Sequence, residues 1–260
     1  MTRSATATDV RDIEGVLAAL RTVVDDAVRD GDRIGLFAAV YRQVTAAIAK
    51  GVRDGRFDDA DRLNRFDAVF AGRYLTALEA WRGGRDPGRS WRLAFRATED
   101  ADLVLVQHVV LGINAHINLD LAVAAAQTSP GEEIAGLKED FERINDVLLD
   151  VLCELQGALN DLSPLLGGLD VVLGRLDEEI FGFKLERARA EAWEAAVLLA
   201  GQTGDARDGA VRMLDRYASG LGRVVLAPPF PVPAALQVLR FAERTGTAEA
   251  IERLDRALGL

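Results

Sequence analysis

The stretch that decides the fold runs from residue 103 to 126 and reads LVLVQHVVLGINAHINLDLAVAAA. It holds no Lys, Arg or Glu, so a helix built on it has no solvent face and belongs inside the molecule. Six polar side chains nevertheless interrupt it: Gln107, His108, Asn114, His116, Asn118 and Asp120. A buried amide or hydroxyl without a partner costs about 2 to 7 kcal/mol, and an isolated charge costs more. A central helix so loaded requires an arranged set of partners.

Projected at about 100° per residue, Gln107, Asn114 and Asn118 share one arc, while His116 and Asp120 share another with His108 nearby. Gly112 lies between the histidines on the ridge of four-residue steps and leaves a gap for a ligand, an ion or a bulky neighbour. His116 and Asp120 stand at i and i+4. At that spacing an imidazole and a carboxylate can share a divalent metal (zinc, iron or manganese) or hydrogen-bond each other. His108 lies about 12 Å back along the axis and reaches the same ion only by leaning over Gly112. Three readings stay open: a metal site of His108, His116 and Asp120; a metal-free pocket over Gly112 lined by His108, Asn114 or Asn118; and a structural network. In the last, Asp120 fixes a neutral His116 and the amides bridge neighbouring backbone.

Outward from this helix, apolar residues recur at spacings of three and four, and Gly or Pro cuts the pattern into helix-length pieces. Helices are expected over residues 9–29, capped by Thr8 and ended by Gly31, then over 33–54 and 58–81. Ser90 is expected to cap a helix that breaks near residues 98–102 before the loaded helix, which Ser129 and Pro130 end. Further helices follow over 137–159, after Pro164, and over 183–200 and 206–221. The stretch VVLAPPFPVP reads as a stiff strap joining two short C-terminal helices to the body. The expectation is an all-α, multi-helix bundle with a buried polar-striped central helix, in one domain over residues 1–260, with 227–260 packed on the body.

The chain has 260 residues, 49% of them hydrophobic and 28% charged, an ordinary globular mix. Its formal charge of −10 works against phosphate-backbone binding and argues against nucleic acid as a partner. Cys153 is the single cysteine, which excludes an intrachain disulfide and suits a reducing compartment. The first ten residues, MTRSATATDV, lack the apolar core of a signal peptide, and no uninterrupted apolar run spans a bilayer. A cytoplasmic protein with a small-molecule ligand and no membrane partner is expected.

Other helices must complete any site. In EDFERINDVLLDVLCE, Asp140, Asn145, Asp146, Asp150 and Glu154 offer acceptors or an acidic solvated face. In FDAVFAGRYL, Asp67 precedes Arg73 and Tyr74, which suggests a charge pair and an inward phenol; Arg73 also suits an anionic substrate group. Asp177, Glu178 and Glu179 read as a helix start. Arg82, Arg85, Arg89, Arg92 and Arg96, with Trp81 and Trp91, form a basic patch that holds a phosphate or is a solvated loop over packed tryptophans. Glu-x-x-His, P-loop, dinucleotide, GxSxG and HExxH patterns are absent from the sequence.

The segment LVLVQHVVLGINAHINLDL resembles the signature of an uncharacterised, mainly actinobacterial family of helical proteins, a domain of unknown function. The resemblance extends through FAGRYL, SWRLAF, DFERIND and ARAEAW, over roughly residues 30 to 200. It implies a helical fold and no particular activity. A looser likeness links His108 and Gly112 to the zinc-dependent phospholipase C and single-strand nuclease group, without the further histidines of its trinuclear sites. Another links Asp146, Asp150, Glu154, Arg216 and Tyr217 to class I terpene cyclases, without a partner aspartate-rich motif.

The leading expectation is metal-dependent hydrolysis of an ester or phosphoester, with His116 and Asp120, joined by His108, on the metal and Arg73 on an anionic group. Gln107, Gly112, Asn114, Asn118, Asp67, Tyr74, Asp140 and Asn145 would line the ligand. The alternatives are a metal-free acid–base or binding pocket and a non-enzymatic scaffold.

Overall fold

Asp12 starts the first helix: its carboxylate accepts the Gly15 amide at 2.8 Å and satisfies one free N–H of the first turn. Helix α1 covers Ile13–Asp30 and ends at Gly31, whose φ of 66° is the left-handed conformation that glycine tolerates. The computed structural model describes residues 10–162, 185–229, 232–243, 245–257 and 259; the expected Thr8 cap lies outside them. Among the described residues there are helices and no strands, so the fold is all-α.

The helices are α2 (Ile34–Arg53), α3 (Ala60–Arg82), α4 (Arg89–Ala97), α5 (Leu105–Thr128), α6 (Ile134–Leu162), α7 (Leu185–Ala200), α8 (Gly204–Leu226), α9 (Val232–Ala242) and α10 (Thr247–Asp255). Asp59 caps α3 by accepting the Arg62 amide at 2.9 Å. Ser90 does not cap α4. It lies one residue inside the helix, and Asp215 of α8 accepts both the Arg89 and Ser90 amides at 2.9 Å. One helix thus closes the open end of another, which no local pattern announces.

Helix α5 is the axis of the bundle, packed against α2, α3, α4, α6, α7 and α8. By length and mean hydropathy it could cross a membrane, yet 89% of its most apolar window is buried by its neighbours, as befits a core helix. The break before it falls where expected, between Ala97 and Leu105. Its regularity fails in the middle: residues 116–121 form a π turn between two α-helical halves, Leu105–Ala115 and Ala122–Thr128. Such wide turns are frequent at functional sites.

Helix α8 continues to Leu226, past the expected end at Leu221, and α9 begins at Val232. The two ends of the proline-rich stretch are therefore helical, with Ala227, Pro228 and Pro229 outside any helix, and Pro233 sits in a first turn where its missing N–H costs nothing. Helix α10 packs on α1 and α2 through the fully buried Ile251 and Leu254. Arg42 pairs with the Asp255 carboxylate, and Gln43 donates to the Asp255 carbonyl.

Candidate functional site

The two polar stripes of α5 do different work. On the amide stripe, Gln107 accepts the Val104 amide at 3.1 Å and donates to the Val225 carbonyl at 2.8 Å. Asn114 donates to the Ala218 carbonyl at 2.8 Å and accepts from Asn118 at 3.0 Å. These groups fasten α5 to α8. Gln107, Asn114 and Asn118 were expected to line a ligand; here Gln107 and Asn114 give amide hydrogens to backbone carbonyls of α8, and Asn118 gives one to the Asn114 side chain.

The gap at Gly112 is also filled. A Cβ there would stand 2.3 Å from Cγ of Phe37, so the glycine admits the phenylalanine of α2 into the space between the histidines. His108 lies buried beyond it. Neither ring nitrogen of His108 meets a hydrogen-bond partner among the described residues. Burial, helped by the nearby Arg33 charge, holds its pKa down to about 4.

On the other stripe the π turn brings His116 and Asp120 together, with His116 Nδ1 and Asp120 Oδ2 3.2 Å apart. Asp120 also accepts Arg73 Nε at Oδ1 and Trp91 Nε1 at Oδ2, both at 2.9 Å. The Asp120 side chain is 2% exposed and that of Arg73 25% exposed, so the pair shields a carboxylate beneath a surface cleft of about 690 Å³. The charge pair expected between Asp67 and Arg73 does not form. Six residues apart, they leave α3 about 120° from each other.

Both oxygens of Asp120 thus receive N–H donors and one of them is a guanidinium, an arrangement that repels a cation. Among the described residues no three His, Cys, Asp or Glu side chains gather at metal-binding distance. The set of His108, His116 and Asp120 is not assembled, and these donors do not fit a metal centre.

His116 instead sits in an aromatic box. Its ring stacks on Phe70 with centroids 3.6 Å apart and meets Tyr41 edge-on at 4.5 Å. Tyr74, Phe37 and Trp91 complete the enclosure. Burial pushes the imidazole below its ordinary pKa against the opposing pull of Asp120, so the ring is neutral at pH 7. A neutral ring whose Nδ1 faces a carboxylate carries its proton there. Nε2 is left as a bare acceptor, buried and without a partner among the described residues.

A cavity of about 80 Å³ lies inside the bundle against this ring, lined by Tyr41, Phe66, Asp67, Phe70, His116 and Arg189, with aliphatic side chains from α2, α5 and α6. Asp67 is 3% exposed, its Oδ2 has no hydrogen-bond partner among the described residues, and burial raises its pKa to about 7. The Tyr41 hydroxyl is equally unpartnered, and burial drives its pKa well up. Tyr74 points inward as expected, its hydroxyl also unpartnered, though it packs beside the cavity in the box.

Asp140 and Asn145 are structural. Asp140 accepts the Asp58 and Asp59 amides at 2.7 and 3.0 Å and so holds the loop before α3. Asn145 accepts from Arg189 Nε. Asp146 is exposed, Tyr217 is half exposed, and the five arginines of the basic patch lie on the surface with Trp91 buried beneath. Asp150, Glu154 and the triplet 177–179 lie outside the residues whose side chains are described. Sequence reasoning missed Phe37, Tyr41, Phe70 and Arg189. The four-residue steps Phe37–Tyr41 and Phe66–Phe70–Tyr74 were the available signal for the box.

Fold and site together define an all-α bundle built on a buried helix with a paired His and Asp. The chain belongs to a family of unknown function, DUF5995, whose pattern matches residues 13–228. This agrees with the resemblance to an uncharacterised helical family and extends it to α1 and α8. No curated protein and no solved structure matches the chain.

Proposed function

We propose that this protein is a metal-independent acid–base enzyme acting on a small, largely apolar molecule held in the cavity beside His116. One observation carries the reading: the bare Nε2 of a neutral, carboxylate-oriented histidine and Asp67, whose Oδ2 has no partner among the described residues, belong to the same buried cavity. Unsatisfied buried groups of this kind cost stability and are retained where chemistry needs them.

The chemistry that fits is proton transfer next to a carbonyl. His116 Nε2 takes a proton from the carbon beside the carbonyl while protonated Asp67 gives its proton to the carbonyl oxygen; the products are an enol, an imidazolium and a carboxylate. Asp120 stabilises the imidazolium through Nδ1, and the stacked Phe70 ring stabilises it through its face. The imidazolium then returns a proton to the same carbon while the enol hydroxyl returns its proton to Asp67, which restores the carbonyl and both groups and completes an exchange. The partner this reading requires is a small molecule, in place of nucleic acid or a membrane.

Incubation with a panel of short-chain ketones, keto acids and aldehydes in D₂O, read by NMR, tests it. Deuterium enters the carbon beside the carbonyl with the wild-type protein and not with His116→Gln. Exchange no faster than the buffer blank across the panel, or equal exchange by His116→Gln, overturns the reading.

A further inference from the structure

Arg189 of α7 is 3% exposed and lines the same cavity as His116 and Asp67. Its guanidinium is fixed by neutral groups alone. Nε donates to the Asn145 amide oxygen, one terminal nitrogen donates to the Phe141 carbonyl at 2.7 Å, and the Phe141 ring lies 4.5 Å from Cζ. Three other arginines that join separate elements each meet a carboxylate: Arg73 meets Asp120, Arg42 meets Asp255, and Arg143 meets Asp58 and Asp140. Among the described residues Arg189 meets none. Burial draws its pKa down to about 9, and it remains a cation at neutral pH.

A buried guanidinium without a counter-charge is costly, because no opposite charge repays its lost hydration. Asp67 does not answer it, since the two share no hydrogen bond although both line the cavity. We infer that the cavity takes a small carboxylic acid whose carboxylate is received by Arg189, whose apolar middle lies along Phe66, Phe70 and the aliphatic wall, and whose far polar group meets His116 and Asp67. This deepens the function proposed above and rests on the cavity's being a ligand site. A planar fork of N–H donors suits a carboxylate better than any neutral head. At about 10 to 15 Å³ for each water-sized occupant, the volume of about 80 Å³ admits a molecule of roughly five to eight heavy atoms.

Calorimetric titration of the full chain with short carboxylates, each beside its primary amide and its parent ketone, tests the inference. The carboxylates are expected to bind about tenfold or more tighter than their amides, and Arg189→Met is expected to abolish that preference. Equal binding of acid and amide by the wild-type protein overturns the role of Arg189 while leaving the cavity a ligand site. Binding of none of the three overturns both. Inorganic phosphate or chloride that competes as strongly as the carboxylates overturns the assignment to an organic acid. If Arg189→Met fails to fold, the comparison of acid and amide on the wild-type protein decides alone.

Discussion

Asp120 holds the imidazole of His116 through Nδ1 at 3.2 Å while the same carboxylate takes the Arg73 guanidinium and the Trp91 indole at 2.9 Å each. One buried acid therefore orients the ring, answers a charge and joins α3, α4 and α5. Replacing it by alanine leaves Arg73 and His116 without their partner, and breaking a buried pair in this way costs about 3 to 5 kcal/mol. Urea unfolding of Asp120→Ala checks the value; a loss below about 1 kcal/mol contradicts the network.

Asp67 gives an opposite signature. Its folded pKa of about 7 lies above the ordinary 3.8, so the folded state binds its proton more tightly than the unfolded chain. That contribution is complete below about pH 4 and is lost as pH rises through 7. Asp67→Asn removes the penalty: it gains up to about 4 kcal/mol over the wild type at pH 8 and nothing at pH 3.5. Thermal unfolding at the two pH values measures this, and equal effects at both contradict it.

His108 limits stability on the acid side. The unfolded imidazole protonates near pH 6.5 and the folded one only near pH 4, so stability falls as pH drops between these values, by up to about 3 kcal/mol. His108→Leu is expected to flatten part of this fall and to leave any reaction at His116 intact. Lost activity in a folded His108→Leu protein would tie the two histidines together and refute their separation.

Gly112 and Phe37 are a fitted pair. An alanine at 112 drives its Cβ into the Phe37 ring, where overpacking of this kind costs about 1 to 3 kcal/mol. In a double-mutant cycle with Phe37→Ala, the two costs are expected to add to less than their sum by about 1 kcal/mol or more. Strict additivity contradicts the contact.

The helical architecture was legible because breaks at Gly31, Ala97 to Leu105 and Ser129 punctuate a strong apolar period, and because residues 103–126 offer no solvent face. The division of α5 into an amide stripe and a His/Asp stripe was legible too. The role of each stripe was not, because it depends on neighbours far away in the chain: Ala218 and Val225 receive the amides, and Phe37 fills the gap that looked like a pocket. A straight α-helical projection also cannot anticipate the π turn at residues 116–121. Arg189 reads, within ARAEAW, as one of several helical surface charges; only the docking of α7 on α6 and α5 buries it.

The protonation of His116 is the point on which the account turns, and nitrogen-15 NMR of the imidazole reads it directly. The chain has two histidines, so His108→Leu leaves a single ring to observe. At pH 7 the account predicts a neutral ring with the proton on Nδ1 and a bare Nε2 that takes a proton only at a pH lower than an ordinary imidazole does. A proton on Nε2 at pH 7, as the other tautomer or as imidazolium, would contradict it.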